Sequence, residues 1–209
     1  MQRNIEAMKR LREGNQRFVD GTPNENLACP ITSRTDLVSG QDPFAVILGC
    51  SDSRVPLELV FDQGLGDLFV IRVAGNVVAP SQIGSVEFAV EQFRTRLIVV
   101  LGHSGCGAVS ATIDQLNQPE ENRSPNLSSI VNRIRPAVEA LGPGASTMDR
   151  ETLIERTVRS NVSASIRDLK AGSSIIRDII ENDHLRIVGA EYSLKTGEVD
   201  FFENAPDES

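Results

Sequence analysis

The chain has 209 residues, 40% of them hydrophobic and 24% charged, the balance of one ordinary soluble domain with a sizeable core. A net charge of −8 with no basic stripe excludes a nucleic-acid phosphate backbone as partner. No apolar run approaches the roughly 20 residues of a membrane span, and Met1-Gln2-Arg3-Asn4-Ile5-Glu6 lacks an export core, so a cytoplasmic location without membrane contact is expected.

Residues 2 to about 19 read as an amphipathic helix with Ile5, Met8, Leu11 and Phe18 on one stripe, ended by Gly21-Thr22-Pro23. A polar loop with Pro23, Pro30 and Pro43 follows, so residues 1–40 form an arm that folds back or crosses to a partner, and 41–209 form the core of a single domain. The core opens with a strand at Phe44–Gly49, a short helical piece near Pro56–Phe61 and a second strand from Leu68 to Val73. A helix from Ile83 to Phe93 turns Val86, Ala89, Val90 and Phe93 inward, and a third strand covers Leu97–Leu101. Ala108–Leu116 reads as a helix, 117–126 as a polar loop, and helices follow near 127–141, 150–170 and 173–182. A fourth strand, Leu185–Ala190, is joined through Lys195-Thr196-Gly197 to a last strand, Glu198–Phe202, which the hairpin turn makes antiparallel. Strands alternating with helices give an α/β fold: a mostly parallel sheet of about four strands, an antiparallel edge strand, and helices on both faces.

Two of the buried runs end alike. Ala45-Val46-Ile47-Leu48-Gly49 is followed by Cys50, and Ile98-Val99-Val100-Leu101-Gly102 by His103, with Cys106 three residues on. Ligands of open α/β sheets gather at the carboxyl ends of strands. If the two strands are parallel neighbours, Cys50, His103 and Cys106 converge at one edge. A Cys₂His set with its fourth position open is a catalytic rather than a structural zinc arrangement. Cys106 falls at the start of a helix, where exposed N–H groups favour a thiolate. Asp52 and Arg54 follow Cys50, and a guanidinium gripping a carboxylate keeps it ionised and oriented. Such an Asp can hydrogen-bond a nucleophile or swing in as the fourth ligand. The third cysteine, Cys29, sits in a Pro-bounded loop as a bystander, and an odd total of three fits a reducing compartment. His184 reads as a surface residue.

Cys50-Ser51-Asp52-Ser53-Arg54-Val55-Pro56 followed by His103-Ser104-Gly105-Cys106-Gly107-Ala108 resembles the β-class carbonic anhydrases. The resemblance extends through Phe61–Phe69, Val73-Ala74-Gly75-Asn76, Gly84–Val90 and Val188–Tyr192. It implies zinc on Cys50, His103 and Cys106, and Asp52 with Arg54 as the catalytic dyad. Asp52 would be a fourth ligand in a closed state. Gln41 would orient substrate, with the backbone near Gly107, while Phe69 and Phe88 would line an apolar CO₂ pocket. That pocket would lie between subunits of a homodimer or a multiple of dimers. Part of the family carries a second bicarbonate site with a Trp three residues before the first Cys; Ile47 stands there, and the chain has no Trp. The implied activity is reversible hydration of CO₂ to bicarbonate and a proton. Two alternatives are a carbon disulfide or carbonyl sulfide hydrolase on the same fold, and a catalytically silent zinc scaffold or sensor. Asp52, Arg54 and Gln41, whose loss would point to the silent protein, are all present.

Overall fold

The apolar runs become five strands: β1 (Ala45–Gly49), β2 (Leu68–Arg72), β3 (Leu97–His103), β4 (Arg186–Tyr192) and β5 (Val199–Glu203). The computed structural model, which describes residues 2–24, 35, 37–116 and 124–205, orders them β2-β1-β3-β4-β5 in one sheet. The first four in that order are mutually parallel and β5 is antiparallel to β4, the arrangement expected from the alternation of elements and the Gly197 turn. Strand β3 runs two residues beyond its apolar stretch, because Gly102 and His103 still pair with Glu191 and Tyr192. Cys29 and residues 117–123 lie outside the described residues.

Among the described residues, seven α-helices clothe the sheet: α1 (Gln2–Asp20), α2 (Leu57–Val60), α3 (Pro80–Gln92), α4 (Gly107–Leu116), α5 (Pro125–Glu139), α6 (Arg150–Gly172) and α7 (Ser174–Asn182). Successive strand residues face opposite sides. Ala45 and Ile47 join Val99, Leu101 and Val188 in a core covered by α1 and α2. Val46 and Leu48 join Ile98, Val100 and Ile187 under α3, α6 and α7. No helix among the described residues is long and apolar enough to cross a membrane.

Helix α1 folds back on the sheet of its own chain. Of its expected stripe, Met8 and Leu11 are fully buried and Phe18 partly so, whereas Ile5 is 45% exposed. The face turned inward runs instead through Asn4, Ala7, Met8, Leu11 and Asn15. The Asn15 amide donates to the carbonyls of Val60 (3.1 Å) and Gly197 (2.9 Å), and its oxygen accepts the Val199 N–H (2.8 Å). Those bonds make a buried Asn acceptable, and an Arg17–Asp62 ion pair adds a further tie.

Helix α6 packs against two glycines of the sheet. A side chain at Gly102 would meet Val162 and Val158 at 2.8 and 2.9 Å, and one at Gly189 would meet Val162 at 3.0 Å. The two glycines thus set the depth at which α6 rides over β3 and β4. From β1 the chain leaves toward β2 on one side, and from β3 toward β4 on the other. The crevice between the carboxyl ends of β1 and β3 is therefore the switch point where a ligand site belongs.

Candidate metal centre

Gly49 of β1 is in register with Leu101 of β3, so Cys50 emerges abreast of Gly102 and beside His103. Cys106 immediately precedes α4. Cys50, His103 and Cys106 are buried, at 5%, 0% and 1% exposure, and their ligand atoms all lie within 4.8 Å of one another. The Nδ1 of His103 is 3.0 Å from the Ser104 carbonyl. A carbonyl only accepts, so Nδ1 carries the proton and Nε2 presents its lone pair. That Nε2 is buried without a hydrogen-bond partner, a rare and costly condition that a metal ion would relieve. Zinc bonds of about 2.3 Å to sulfur and about 2.0 Å to nitrogen place tetrahedral donors within such a cluster. The residues therefore fit a tetrahedral, thiolate-accepting cation.

The two sulfurs shift each other's acidity in opposite directions. The Cys106 thiol beside it and the N–H groups of Gly75 and Asp52 hold the Cys50 thiol well below its usual range, against the effect of burial. Cys106 is pushed up by the same partnership and by burial, while the N–H groups of Val109 and Ala108 pull the other way. A cation held by both sulfurs takes them as thiolates, so its binding releases protons.

Next to this cluster stands the carboxylate. Asp52 Oδ1 accepts from the backbone N–H (3.0 Å) and Nε (2.9 Å) of Arg54, and Oδ2 accepts from Nη2 (2.7 Å). This fork, above all its side-chain bonds, holds the Asp52 carboxyl well below the usual carboxylate range. Asp52 Oδ2 lies 3.8 Å from His103 Nε2, and Arg54 also reaches the Gly105 carbonyl at 3.4 Å, tying the two strand-end loops together. Sequence reasoning missed Arg72, whose guanidinium donates to the carbonyls of Cys50 (2.9 Å) and Asp52 (2.6 Å). Its signal was a charged residue closing an otherwise apolar strand.

The family model described as carbonic anhydrase matches residues 45–199. The chain belongs to the β-carbonic anhydrase family. It is 40% identical over 195 residues to carbonic anhydrase 2 of Mycobacterium tuberculosis, covering 92% of this chain and 90% of that protein. Among solved structures it resembles a β-carbonic anhydrase of Aspergillus fumigatus, with 25% identity and a TM-score of 0.74 over 83% of this chain and 82% of that one. It also resembles one of two tetrameric β-carbonic anhydrases from Sordaria macrospora, with 25% identity and a TM-score of 0.72 over 80% and 84% of the chains. The family is metal-dependent, in keeping with the Cys–His–Cys cluster.

The remaining candidate residues divide between the two ends of the sheet. Gly107 opens α4 beside Cys106. Gln41, Phe69 and Phe88 lie elsewhere. The Pro43 carbonyl accepts from Thr95, and the Phe44 N–H donates to Asp67, which pins this stretch at the amino edge. Six extended residues from Phe44 to Cys50 span about 20 Å, and the three residues back to Gln41 recover at most about 10 Å. The Gln41 Cα therefore stays about 10 Å or more from that of Cys50 in its own chain. Phe69 is in register with Val46, also toward the amino edge. Its ring lies 6.1 Å from Phe88 and 5.9 Å from Phe93, and Phe88 is 51% exposed. His184 is exposed, as expected.

Proposed function

We propose that this carbonic anhydrase hydrates CO₂ reversibly to bicarbonate and a proton, using zinc held by Cys50, His103 and Cys106. The observation that carries the reading is the buried ligand triangle with its orphaned His103 Nε2, lying 3.8 Å from an Arg54-gripped Asp52. A zinc ion held by these three residues would supply Lewis acidity, making a water acidic enough to yield a nucleophile near neutral pH. Asp52 Oδ2, with one Arg54 donor on it, keeps a lone pair for the hydrogen bond of the attacking hydroxyl, which turns that oxygen toward the CO₂ carbon. Arg54 fixes the carboxylate in that pose and keeps it an acceptor. Gly107, as the first residue of α4, offers a backbone N–H unused by the helix to a substrate oxygen.

Gln41, Phe69 and Phe88 act, in this reading, on the metal centre of a second copy. The exposed Phe88 beside Phe69 and Phe93 gives that copy an apolar face to cover. A dimer or a multiple of dimers follows, as for the tetrameric Sordaria relatives. A cytoplasmic setting suits the free thiols of Cys50 and Cys106, which lie close enough to oxidise in a disulfide-forming compartment.

Purified protein is expected to hold about one zinc per chain and to hydrate CO₂ in stopped-flow indicator assays, with carbon disulfide and carbonyl sulfide run alongside. Zinc-loaded protein inert toward CO₂ from about pH 7 to pH 9 refutes the proposal. The two-copy arrangement has its own test. Gln41→Ala and Cys106→Ser chains, co-expressed with different tags and purified as the mixed dimer, form one site with both lesions and one intact site. Activity should return toward about half that of the wild-type dimer; activity no higher than that of the single variants would place Gln41 in its own chain's site.

A further inference from the structure

We propose that Asn161 and Ser165 of α6 are positioning residues for the metal centre, setting the place and donor strength of the Cys50 sulfur through the turn at Ala74–Asn76. The inference rests on Cys50 being a metal ligand. The Gly75 N–H donates to Cys50 Sγ at 3.3 Å. The turn that aims it is a short 3₁₀ segment with Gly75 at φ +68° and Asn76 at φ +44°. Left-handed backbone at a non-glycine residue costs free energy and needs outside support.

That support comes from α6. Asn161 Nδ2 donates to the Gly75 carbonyl at 2.8 Å, and Ser165 Oγ donates to the Asn76 carbonyl at 3.0 Å. Both side chains are buried, at 1% and 2% exposure. Val158, Asn161, Val162 and Ser165 follow the spacing that puts residues on one helix face. The two valines rest on Gly102, the residue before the ligand His103, while Asn161 and Ser165 grip the turn beside the ligand Cys50. On its other side the turn is walled in: a side chain at Gly75 would meet Ile134 at 2.7 Å and Ala108 at 3.1 Å. One helix face therefore touches the backbone next to two of the three ligands.

A backbone N–H on a thiolate draws charge from the sulfur and so weakens its donation to the metal. The outer partners of a ligand tune the metal in this way. Were Asn161 and Ser165 only satisfying buried carbonyls, their loss would lower stability and leave the sulfur unchanged.

Cobalt(II) substitution separates the two roles, because the sulfur-to-cobalt charge-transfer band reports thiolate donor strength. In Asn161→Leu, an isosteric change that removes the donor, the band should move to lower energy. Zinc affinity, measured by chelator competition, should fall by about 10–100-fold, because a turn released from α6 no longer holds the Cys50 sulfur in place and this loss outweighs its stronger donation. Ser165→Ala should move the band in the same direction by less. Should Asn161→Leu not fold, Asn161→Ala carries the same readout without added bulk. A lower melting temperature with band and affinity unchanged overturns the positioning role alone. A wild-type protein with no sulfur-to-cobalt band overturns the ligand assignment itself, and the role of Asn161 with it.

Discussion

Cys106→Ser should strip the metal from the protein and take CO₂ hydration down by several orders of magnitude. A serine hydroxyl stays protonated at neutral pH and is a harder, weaker donor than a thiolate, leaving Cys50 and His103 as the only strong ligands of a site built for three. The fold should survive the change. Cys106 directly precedes α4, its carbonyl accepts the Ser110 N–H at 3.0 Å, and the N–H groups of Ala108 and Val109 face its sulfur. Serine is a favoured residue at that cap position, so the helix start gains a conventional acceptor. Metal analysis should therefore show zinc falling far below one per chain, while the far-ultraviolet circular dichroism matches wild type. Zinc retained at full occupancy, or activity above about a tenth of wild type, would remove Cys106 from the ligand set.

The route to that site was readable because buried parallel strands are continuous apolar runs, and a Gly at the end of each marked where the chain turns a ligand outward. The pairing that converts two such endings into one cluster, β1 beside β3, is a tertiary fact that periodicity does not carry. The misreadings share one physical cause. The inward face of α1 includes Asn4 and Asn15, which bond to backbone carbonyls far away in the chain, so a purely apolar stripe pointed to Ile5 instead. Asn161 and Ser165 escaped notice for the same reason. They sit on the buried face of α6 among valines, and only the carbonyls of Gly75 and Asn76 reveal why polar groups belong there. Gln41, Phe69 and Phe88 join the site only in the proposed two-copy reading; within the chain, Phe69 pairs with Val46 four residues short of Cys50, and Phe88 packs against Phe69 from α3.

Asp52→Asn should lower turnover by about 10²–10³-fold while zinc stays bound. Asp52 spends its acceptors unevenly: Oδ1 takes the Arg54 N–H and Nε, and Oδ2 takes Nη2 alone. An asparagine keeps the larger number of these bonds by placing its oxygen where Oδ1 stands. Its NH₂ then occupies the Oδ2 position, 3.8 Å from His103 Nε2. The atom that must accept the hydrogen bond of the nucleophile becomes a donor, and it also meets Arg54 Nη2 donor to donor. Stability should change little, because Arg54 is 56% exposed and water can take over its lost bond. Zinc content should match wild type, since both carboxylate oxygens rest on Arg54 and the ligand triangle closes without them. Loss of turnover without loss of metal would set Asp52 apart from Cys106, whose replacement removes both. Turnover within about twofold of wild type, with zinc in place, would take Asp52 out of the chemistry and leave Arg54 a structural tie between the two strand-end loops.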